Sequence, residues 1–170
     1  MKQFILGGAR SGKSAYAEQQ AKSSEKQVIY IATASAGDDE MRQRIKLHQQ
    51  QRPGHWQLVE ESIQLVDALR QHDHVNHCLL VDCLTLWLSN CLAMNNELFL
   101  KEQQLELLSL IPELKSDLIL VSNEVGQGIV PLGALSRKFV DESGRLHQQL
   151  SVVCDRVVFI TAGLPQVLKA

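Results

Sequence analysis

A glycine-rich motif near the start of the chain constrains the fold more than any other feature. Its pattern is G-x-x-x-x-G-K-S, and its residues are Gly7, Gly8, Ala9, Arg10, Ser11, Gly12, Lys13 and Ser14. The apolar run Phe4–Leu6 precedes it, and the helix-forming stretch Ala15–Lys22 follows it. A strand, a glycine-rich turn and a helix N-terminus together present backbone N–H groups to a phosphate. The motif therefore predicts a phosphate-binding loop, or P-loop, and the alternative is a glycine turn that matches by chance.

Two side chains of this loop have predicted roles toward a nucleoside triphosphate. Lys13 is expected to reach the outer phosphates, and the Ser14 hydroxyl is expected to hold Mg²⁺. The loop predicts a bound triphosphate, but it does not say which part of the nucleotide is transferred.

The remaining apolar pattern predicts the fold class. Short continuous apolar runs are typical of strands covered on both faces, and they lie at Phe4–Leu6, Val28–Ala32, Cys78–Val81, Leu118–Val121 and Val157–Ile160. Helical patterns lie between them, at Ser62–Gln71, Thr85–Ala93, Glu97–Leu110 and Leu135–Leu150, with a further helix beginning near Asp38. This alternation predicts an α/β, P-loop NTPase-like fold: a mostly parallel central sheet flanked by helices, in a single domain over residues 1–170.

Composition argues against several classes of protein. The 170 residues carry a formal net charge of −2, with 45% hydrophobic and 21% charged residues. This balance does not favour nucleic-acid or membrane-surface binding, and no run is long enough for a membrane span. The four cysteines lack C-x-x-C spacing, so we interpret them as buried reduced thiols of a cytoplasmic protein.

Ligands of such sheets bind where the strands end, so the residues after each strand are the candidate site. Thr33, Ala34 and Ser35 follow the second predicted strand and suit a close approach to phosphate or ribose. They also suit an ordinary strand-to-helix loop, which favours Ser and Thr.

Two further strand ends carry acids. Asp82 follows Leu79–Val81 and is predicted to share Mg²⁺ with Ser14, whereas a helix cap is its alternative role. Asn123 and Glu124 follow Leu118–Ser122 in a loop with two glycines and a proline. Glu124 could serve as a base, a metal partner or a substrate contact, and a solvated loop residue is the simpler interpretation.

One histidine has a candidate catalytic position. Met41, Ile45 and His48 share a helical face that points toward the strand ends. A neutral imidazole there could attack an α-phosphorus and carry a nucleotidyl group, although spacing alone favours a core histidine. His55, beside Trp56, is a second candidate, and His72, His74 and His77 are interpreted as a polar surface loop.

Together these segments resemble the bifunctional adenosylcobinamide kinase / adenosylcobinamide-phosphate guanylyltransferase family of cobalamin biosynthesis. The resemblance runs in the family's order along nearly the whole chain, and its segments are Gly7–Ser14, Tyr30–Ala34, Asp39–Met41, Arg44–His48, Arg52–Trp56, Val81–Asn90, Asn123–Pro131 and Ala162–Pro165. The stretches Arg44–Trp56 and Asn123–Pro131 are the most specific, because many families share the P-loop.

The resemblance implies two reactions. In the first, ATP or GTP phosphorylates the aminopropanol hydroxyl of adenosylcobinamide. In the second, GTP transfers GMP to a histidine with release of pyrophosphate, and the GMP passes to adenosylcobinamide phosphate to give adenosylcobinamide-GDP. The family's guanylylated histidine lies in the helix after the second strand, where this sequence offers His48. The resemblance also implies a homo-oligomer, a trimer.

Two more contacts follow from chemistry and position. Arg52 is expected to offset phosphate charge beside the Lys13–Mg²⁺ pair. Glu60 is expected to accept hydrogen bonds from the N1–H and exocyclic amine of guanine.

Three rival functions remain at this point. A plain P-loop kinase would share every feature except a functional His48. A GTP-dependent switch is disfavoured because no N/T-K-x-D motif occurs and the D-x-x-G match at Asp141–Gly144 lies in or beside a predicted helix. A DNA-remodelling ATPase core is disfavoured by small size and mild acidity.

Overall fold

The computed structural model describes residues 1–34 and 53–170, which form one seven-stranded sheet around the P-loop strand. The strands are β1 (Lys2–Gly7), β2 (Gln27–Ala32), β3 (Gln57–Glu60), β4 (His77–Asp82), β5 (Asp117–Asn123), β6 (Arg156–Thr161) and β7 (Leu164–Lys169). Their order is β3-β2-β4-β5-β1-β6-β7. All neighbours are parallel except β6 and β7. The predicted mostly parallel sheet is confirmed.

The five predicted strands are all present, and two edge strands were missed. Every residue of β1 is buried, which explains its apolar run Phe4–Leu6, and the polar residues Lys2 and Gln3 at its start are buried as well. In contrast, β7 is exposed along its whole length and β3 has no fully buried residue. Edge strands of this kind lack the apolar run that identified the others, and β7 even contains Pro165, which an edge position tolerates.

The helices in the described ranges are α1 (Lys13–Ser23), α2 (Leu65–His72), α3 (Leu84–Ala93), α4 (Glu97–Leu110) and α5 (Ala134–Val153). A 3₁₀ turn at Ile111–Glu113 follows α4 and places Pro112 after the helix end. The predicted helices at Ser62, Thr85, Glu97 and Leu135 are confirmed, with α2 beginning three residues later than predicted. The helix predicted near Asp38 lies outside the described residues.

The apolar residues of α4 are only partly buried. Two leucines of the helical pattern that predicts α4, Leu98 and Leu105, are 67% and 65% exposed. The buried positions are Leu100, Gln103 and Leu107. The helix is rich in leucine on several sides, so periodicity alone did not determine which stripe faces the sheet.

The sheet separates two apolar layers because alternate residues of a strand face opposite sides. Phe4 and Leu6 pack with α2, α3, α4 and α5, whereas Ile5 packs with α1. We call these sides the α5 face and the α1 face. None of the helices in the two described ranges combines the length and apolar character that a bilayer crossing requires.

Candidate functional site

The P-loop begins at the last residue of β1 and leads directly into α1. Gly12 precedes the helix in a left-handed conformation, with φ of 95°. The Ser11 backbone N–H and the Lys13 ammonium both donate to the Gly8 carbonyl, at 3.2 Å each. The loop is therefore closed by its own hydrogen bonds, and Lys13, which is 9% exposed, already points back over it.

The turn between β6 and β7 braces the loop from the other side. Gly163 donates its backbone N–H to the Ser11 carbonyl at 2.8 Å. A Cβ on Gly12 would lie 3.2 Å from Gly163 Cα. Ala162 and Gly163 both have positive φ, 50° and 79°, which gives the tight turn this approach requires.

Asp82 ends β4 on the α1 face, two strands from the P-loop strand. The Tyr30 hydroxyl donates to Asp82 Oδ2 at 2.9 Å, and Tyr30 itself is 2% exposed. This bond fixes one carboxylate oxygen and leaves the other, Oδ1, for a cation. The predicted helix-cap alternative does not apply, because the residue directly before α3 is Cys83 and no side chain caps that helix.

The donor set fits Mg²⁺. Asp82 and Ser14 would supply a carboxylate and a hydroxyl, the oxygen ligands that Mg²⁺ takes beside substrate phosphates. Within residues 1–34 and 53–170, no group of three His, Cys, Asp or Glu side chains could hold a metal by itself. A cation at this edge would therefore take its remaining ligands from the nucleotide phosphates and from water.

Thr33 serves the sheet in this structure. Its hydroxyl donates to the Cys83 carbonyl at 2.6 Å and accepts from the Cys83 backbone N–H at 2.9 Å. Thr33 is fully buried, and the Asn90 side chain occupies its carbonyl. We interpret Thr33 as the residue that holds the end of β2 beside β4. Of the two described residues that follow β2, Thr33 and Ala34, only Ala34 would then contact the nucleotide directly.

Asn123 and Glu124 lie next to the first residue of the P-loop. Asn123 is paired with Gly7 in the β1–β5 register, and the Glu124 backbone N–H donates to the Gly7 carbonyl at 3.1 Å. Asn123 Oδ1 is buried and has no hydrogen-bond partner among the described residues. An unpaired buried acceptor is costly, which makes this atom a candidate ligand contact.

Behind Glu124 lies a histidine that the sequence did not single out. His147 of α5 is 7% exposed, and its Nδ1 lies 3.7 Å from Glu124 Oε2. Its Nε2 lies 2.8 Å from Ser122 Oγ and 3.3 Å from Ser143 Oγ. Burial lowers the pKa of His147, and the Glu124 carboxylate opposes that shift. A neutral ring with its proton on Nδ1 fits these neighbours, since the Nδ1–H then faces the Glu124 carboxylate and Nε2 can accept from the Ser122 hydroxyl.

Glu60 and His55 lie at the far side of the sheet. Glu60 ends β3, which is four strands from β1, or about 19 Å at the usual strand spacing. A guanine contact at Glu60 would require the nucleotide to extend across β5, β4 and β2. His55 is exposed in the turn before β3. The predicted positions Ser35, His48 and Arg52 lie outside the described residues.

The structure thus brings together the P-loop, Asp82, Asn123 and Glu124. Sequence reasoning missed Tyr30, His147 and Gly163, which act on those residues from neighbouring elements. A signal existed for His147, because Ser143 and His147 are spaced i, i+4 beside the apolar stripe of a predicted helix. Tyr30 lies in the resemblance segment Tyr30–Ala34, but its place inside an apolar run gave its side chain no predicted role.

Comparison with known proteins finds the family that the sequence resembles, and the matches cover nearly the whole chain. The family model for cobinamide kinase / cobinamide phosphate guanyltransferase matches residues 3–168. The bifunctional adenosylcobalamin biosynthesis protein CobP of Pseudomonas aeruginosa is 52% identical over 169 residues, 99% of this chain and 98% of that protein. The bifunctional adenosylcobalamin biosynthesis protein CobU of Escherichia coli is 35% identical, covering 98% of each.

Solved structures add the fold alone. The RadB recombinase aligns with a TM-score of 0.52 at 18% identity, over 93% of this chain and 73% of that one. The flagellar accessory protein FlaH of Methanocaldococcus jannaschii aligns with a TM-score of 0.50 at 14% identity, over 99% and 77%. These likenesses confirm the P-loop NTPase-like fold, and at such identity they do not favour a DNA-remodelling function. The family match confirms the predicted kinase and guanylyltransferase activities and the place in cobalamin biosynthesis.

Proposed function

The chain belongs to the cobinamide kinase / cobinamide phosphate guanyltransferase family, and we propose that it catalyses two successive transfers at one P-loop. The first moves the terminal phosphoryl group of ATP or GTP to the aminopropanol hydroxyl of adenosylcobinamide. The second moves GMP from GTP to a histidine and then to adenosylcobinamide phosphate, giving adenosylcobinamide-GDP and pyrophosphate.

The observation that carries this proposal is the convergence at one sheet edge. The P-loop, the Asp82 carboxylate and the unpaired Asn123 Oδ1 all lie at the carboxyl ends of β1, β4 and β5. Lys13 would exchange its bond with Gly8 for a phosphate oxygen. Such groups act by positioning and by stabilising the charge of the transferring group. Mg²⁺ held by Asp82 and Ser14 would supply further charge neutralisation on the phosphates.

The guanylyl step needs a nucleophile, and we assign it to His48. It is the one histidine in the sequence between Ser35 and Arg52, the stretch where the family's nucleophile lies. A histidine nitrogen would attack the α-phosphorus of GTP, and the bond to the pyrophosphate oxygen would break. The resulting phosphoramidate is reactive enough to pass GMP to the phosphate of the acceptor. Arg52 would offset phosphate charge, and Glu60 would contact guanine if GTP extends along the strand ends from β1 toward β3.

A labelling experiment tests the covalent route. Protein incubated with α-labelled GTP should retain an acid-labile label, and His48→Ala should lose it. His55→Ala is the matched control, because His55 lies seven residues away and is exposed; it should keep the label. Retention by His48→Ala with loss by His55→Ala would move the nucleophile to His55. Absence of label from the wild-type protein would favour a plain kinase.

A product assay tests the substrates. Adenosylcobinamide incubated with GTP and Mg²⁺ should give both the phosphate and the GDP conjugate, separable by mass. His48→Ala supplied with ATP should stop at the phosphate. Failure of the wild-type protein to modify adenosylcobinamide would overturn the proposed function.

The oligomeric state is part of the proposal. Four apolar residues on and after the loop that follows β5 are exposed, with Ile129 and Leu132 at 98% and 99% and with Val130 and Leu135 beside them. We propose that this surface is buried between copies of this chain, which form a trimer by family resemblance. We also propose that the enzyme works in the cytoplasm. Ile129→Lys with Leu132→Lys should lower the native mass, whereas Leu105→Lys, an exposed leucine of α4, should not. An unchanged mass in both would refute this surface.

A further inference from the structure

We propose that Glu124 is the general base of the phosphoryl transfer and that His147 is its positioning residue. The proposal rests on the proposed function, because it concerns the acceptor hydroxyl of the kinase reaction. It assigns a catalytic role to one residue of the site and a supporting role to another that lies behind it.

The position of Glu124 is the first argument. Its backbone N–H is bonded to the Gly7 carbonyl, so the residue is fixed at the mouth of the P-loop. Its side chain is 21% exposed, which leaves it accessible from the edge where an acceptor would approach. Gly126 donates its backbone N–H to Glu124 Oε1 at 2.5 Å, which holds the carboxylate in one orientation.

Elimination among the acids at this edge is the second argument. Asp82 is tied to Tyr30 and is the predicted metal ligand. Glu61 accepts the backbone N–H groups of Ile63 and Gln64, both at 2.8 Å. Glu60 lies four strands from the P-loop strand. Among the described residues, Glu124 is therefore the acid at this edge that adjoins the P-loop and is not the predicted metal ligand.

The surroundings of His147 are the third argument. The ring packs against Phe4 of β1, with a centroid separation of 5.4 Å, and is buried between α5 and the sheet. Ser122 and Ser143 fix its Nε2 side, so the Nδ1 side is directed at Glu124 Oε2. Ser122 Oγ lies 3.3 Å from Thr85 Oγ1, which accepts the Asn123 backbone N–H at 2.7 Å. This chain of contacts links α3, β5 and α5 directly behind the carboxylate.

With Glu124 as the base, every bond and the proton of the phosphoryl transfer are accounted for. The acceptor oxygen forms a bond to the terminal phosphorus while the bond from that phosphorus to the bridging oxygen breaks. The nucleoside diphosphate leaves with the electron pair, and the hydroxyl proton passes to the Glu124 carboxylate and later to solvent. Guanylylation of a histidine involves no acceptor hydroxyl, so it should not need Glu124.

This difference between the half-reactions supplies the test. Glu124→Gln should lower kcat for phosphorylation of adenosylcobinamide by about 10²- to 10⁴-fold, the usual contribution of a general base. Its KM for ATP and its labelling by α-labelled GTP should stay near wild type. Full phosphorylation activity in Glu124→Gln, beside an active wild-type enzyme, would refute the role of Glu124. An inactive wild-type enzyme would instead overturn the proposed function, and this inference with it.

A double-mutant cycle tests His147. His147→Gln should lower kcat of the same step by about tenfold without raising KM for ATP, and it should have no further effect in the Glu124→Gln background, because both act through one carboxylate. Ser151→Ala is the control on the same helix and should retain kcat, because the Ser151 hydroxyl donates to the His147 backbone carbonyl and not to the ring. A purely structural His147 would give a lower urea midpoint with unchanged kcat, or effects that multiply with those of Glu124→Gln, and either result would refute the positioning role.

Discussion

Three glycines of the P-loop should respond differently to the same substitution, because the structure gives each a different constraint. Gly12 has φ of +95°, where an L side chain is strained by about 1–2 kcal/mol. Its Cβ would also lie 3.2 Å from Gly163 Cα, a backbone atom of the adjoining turn. Gly12→Ala should therefore lower the free energy of unfolding by at least about 1–2 kcal/mol.

The same substitution should have opposite effects on stability at Gly8 and at Gly7. A Cβ on Gly8 meets nothing within 4 Å, and its φ lies outside the left-handed region. Gly8→Ala should stabilise the fold by about 0.4–1 kcal/mol through the loss of freedom in the unfolded chain. A Cβ on Gly7 would lie 2.7 Å from the Ile160 carbonyl oxygen of β6. That backbone atom is held in the sheet, so overpacking should cost about 1–3 kcal/mol.

Urea unfolding of the nucleotide-free protein measures the series. The expected order of midpoints is Gly8→Ala at or above wild type, with Gly12→Ala and Gly7→Ala below it. For a chain of this length, 1 kcal/mol corresponds to about 2–4 °C in Tm, so thermal unfolding should separate Gly12→Ala from Gly8→Ala by several degrees. Equal midpoints for Gly8→Ala and Gly12→Ala would refute the assigned backbone conformation and the contact with Gly163.

Three other predictions concern buried polar groups. Tyr30→Phe should lower the free energy of unfolding by about 1.5–3 kcal/mol, the value of a hydrogen bond to a charged group. The control Tyr16→Phe, at the partly buried second tyrosine, should change it by less than about 0.5 kcal/mol. Equal effects of the two substitutions in urea unfolding would contradict the bond between Tyr30 and Asp82. Burial raises the pKa of Cys78, Cys83 and Cys91 to about 11 and that of Cys154 to about 12, so a thiol reagent at pH 8 should leave the folded protein unmodified and titrate four thiols in guanidinium; rapid modification of the folded protein would disprove their burial. Because burial lowers the pKa of His147 below 6.5, the unfolded chain binds a proton near pH 6 that the folded chain does not. The free energy of unfolding should therefore fall as the pH drops below about 6.5, by at most about 1.4 kcal/mol per pH unit. In an unfolding series from pH 7.5 to pH 5, this slope should be shallower in His147→Asn but unchanged in a variant of the exposed His74.

The sequence predicts the centre of the sheet better than its edges. The strands β1, β4 and β5 each contain a continuous apolar run because helices cover both faces. The edge strand β7 packs on one neighbour and is exposed along its length, so hydrophobicity gives no signal for it. Its pairing depends instead on the positive φ of Ala162 and Gly163, a property of the turn's geometry.

The candidate site shows the same limit. The P-loop and Asp82 are recognisable because a fixed spacing or a strand end marks them. Tyr30 and His147 are not, because each contacts a residue on a neighbouring element that is distant in sequence, 52 positions for Tyr30 and Asp82. Their roles depend on strand order and on which face a side chain occupies. Local spacing in the sequence determines neither the strand order nor the face on which a side chain lies.

The alternation of β4 and β5 explains how two reactions can share this edge. Asp82 follows Leu80 on the α1 face, where Tyr30 also lies. Ser122 follows Leu120 on the α5 face, where His147 lies. The carboxylate that would hold the cation and the network behind Glu124 are thus separated by the sheet and approach each other at its edge. Changes on the α5 face should consequently affect the acceptor's proton without disturbing the cation, and this separation is why the two half-reactions are expected to respond differently to Glu124→Gln.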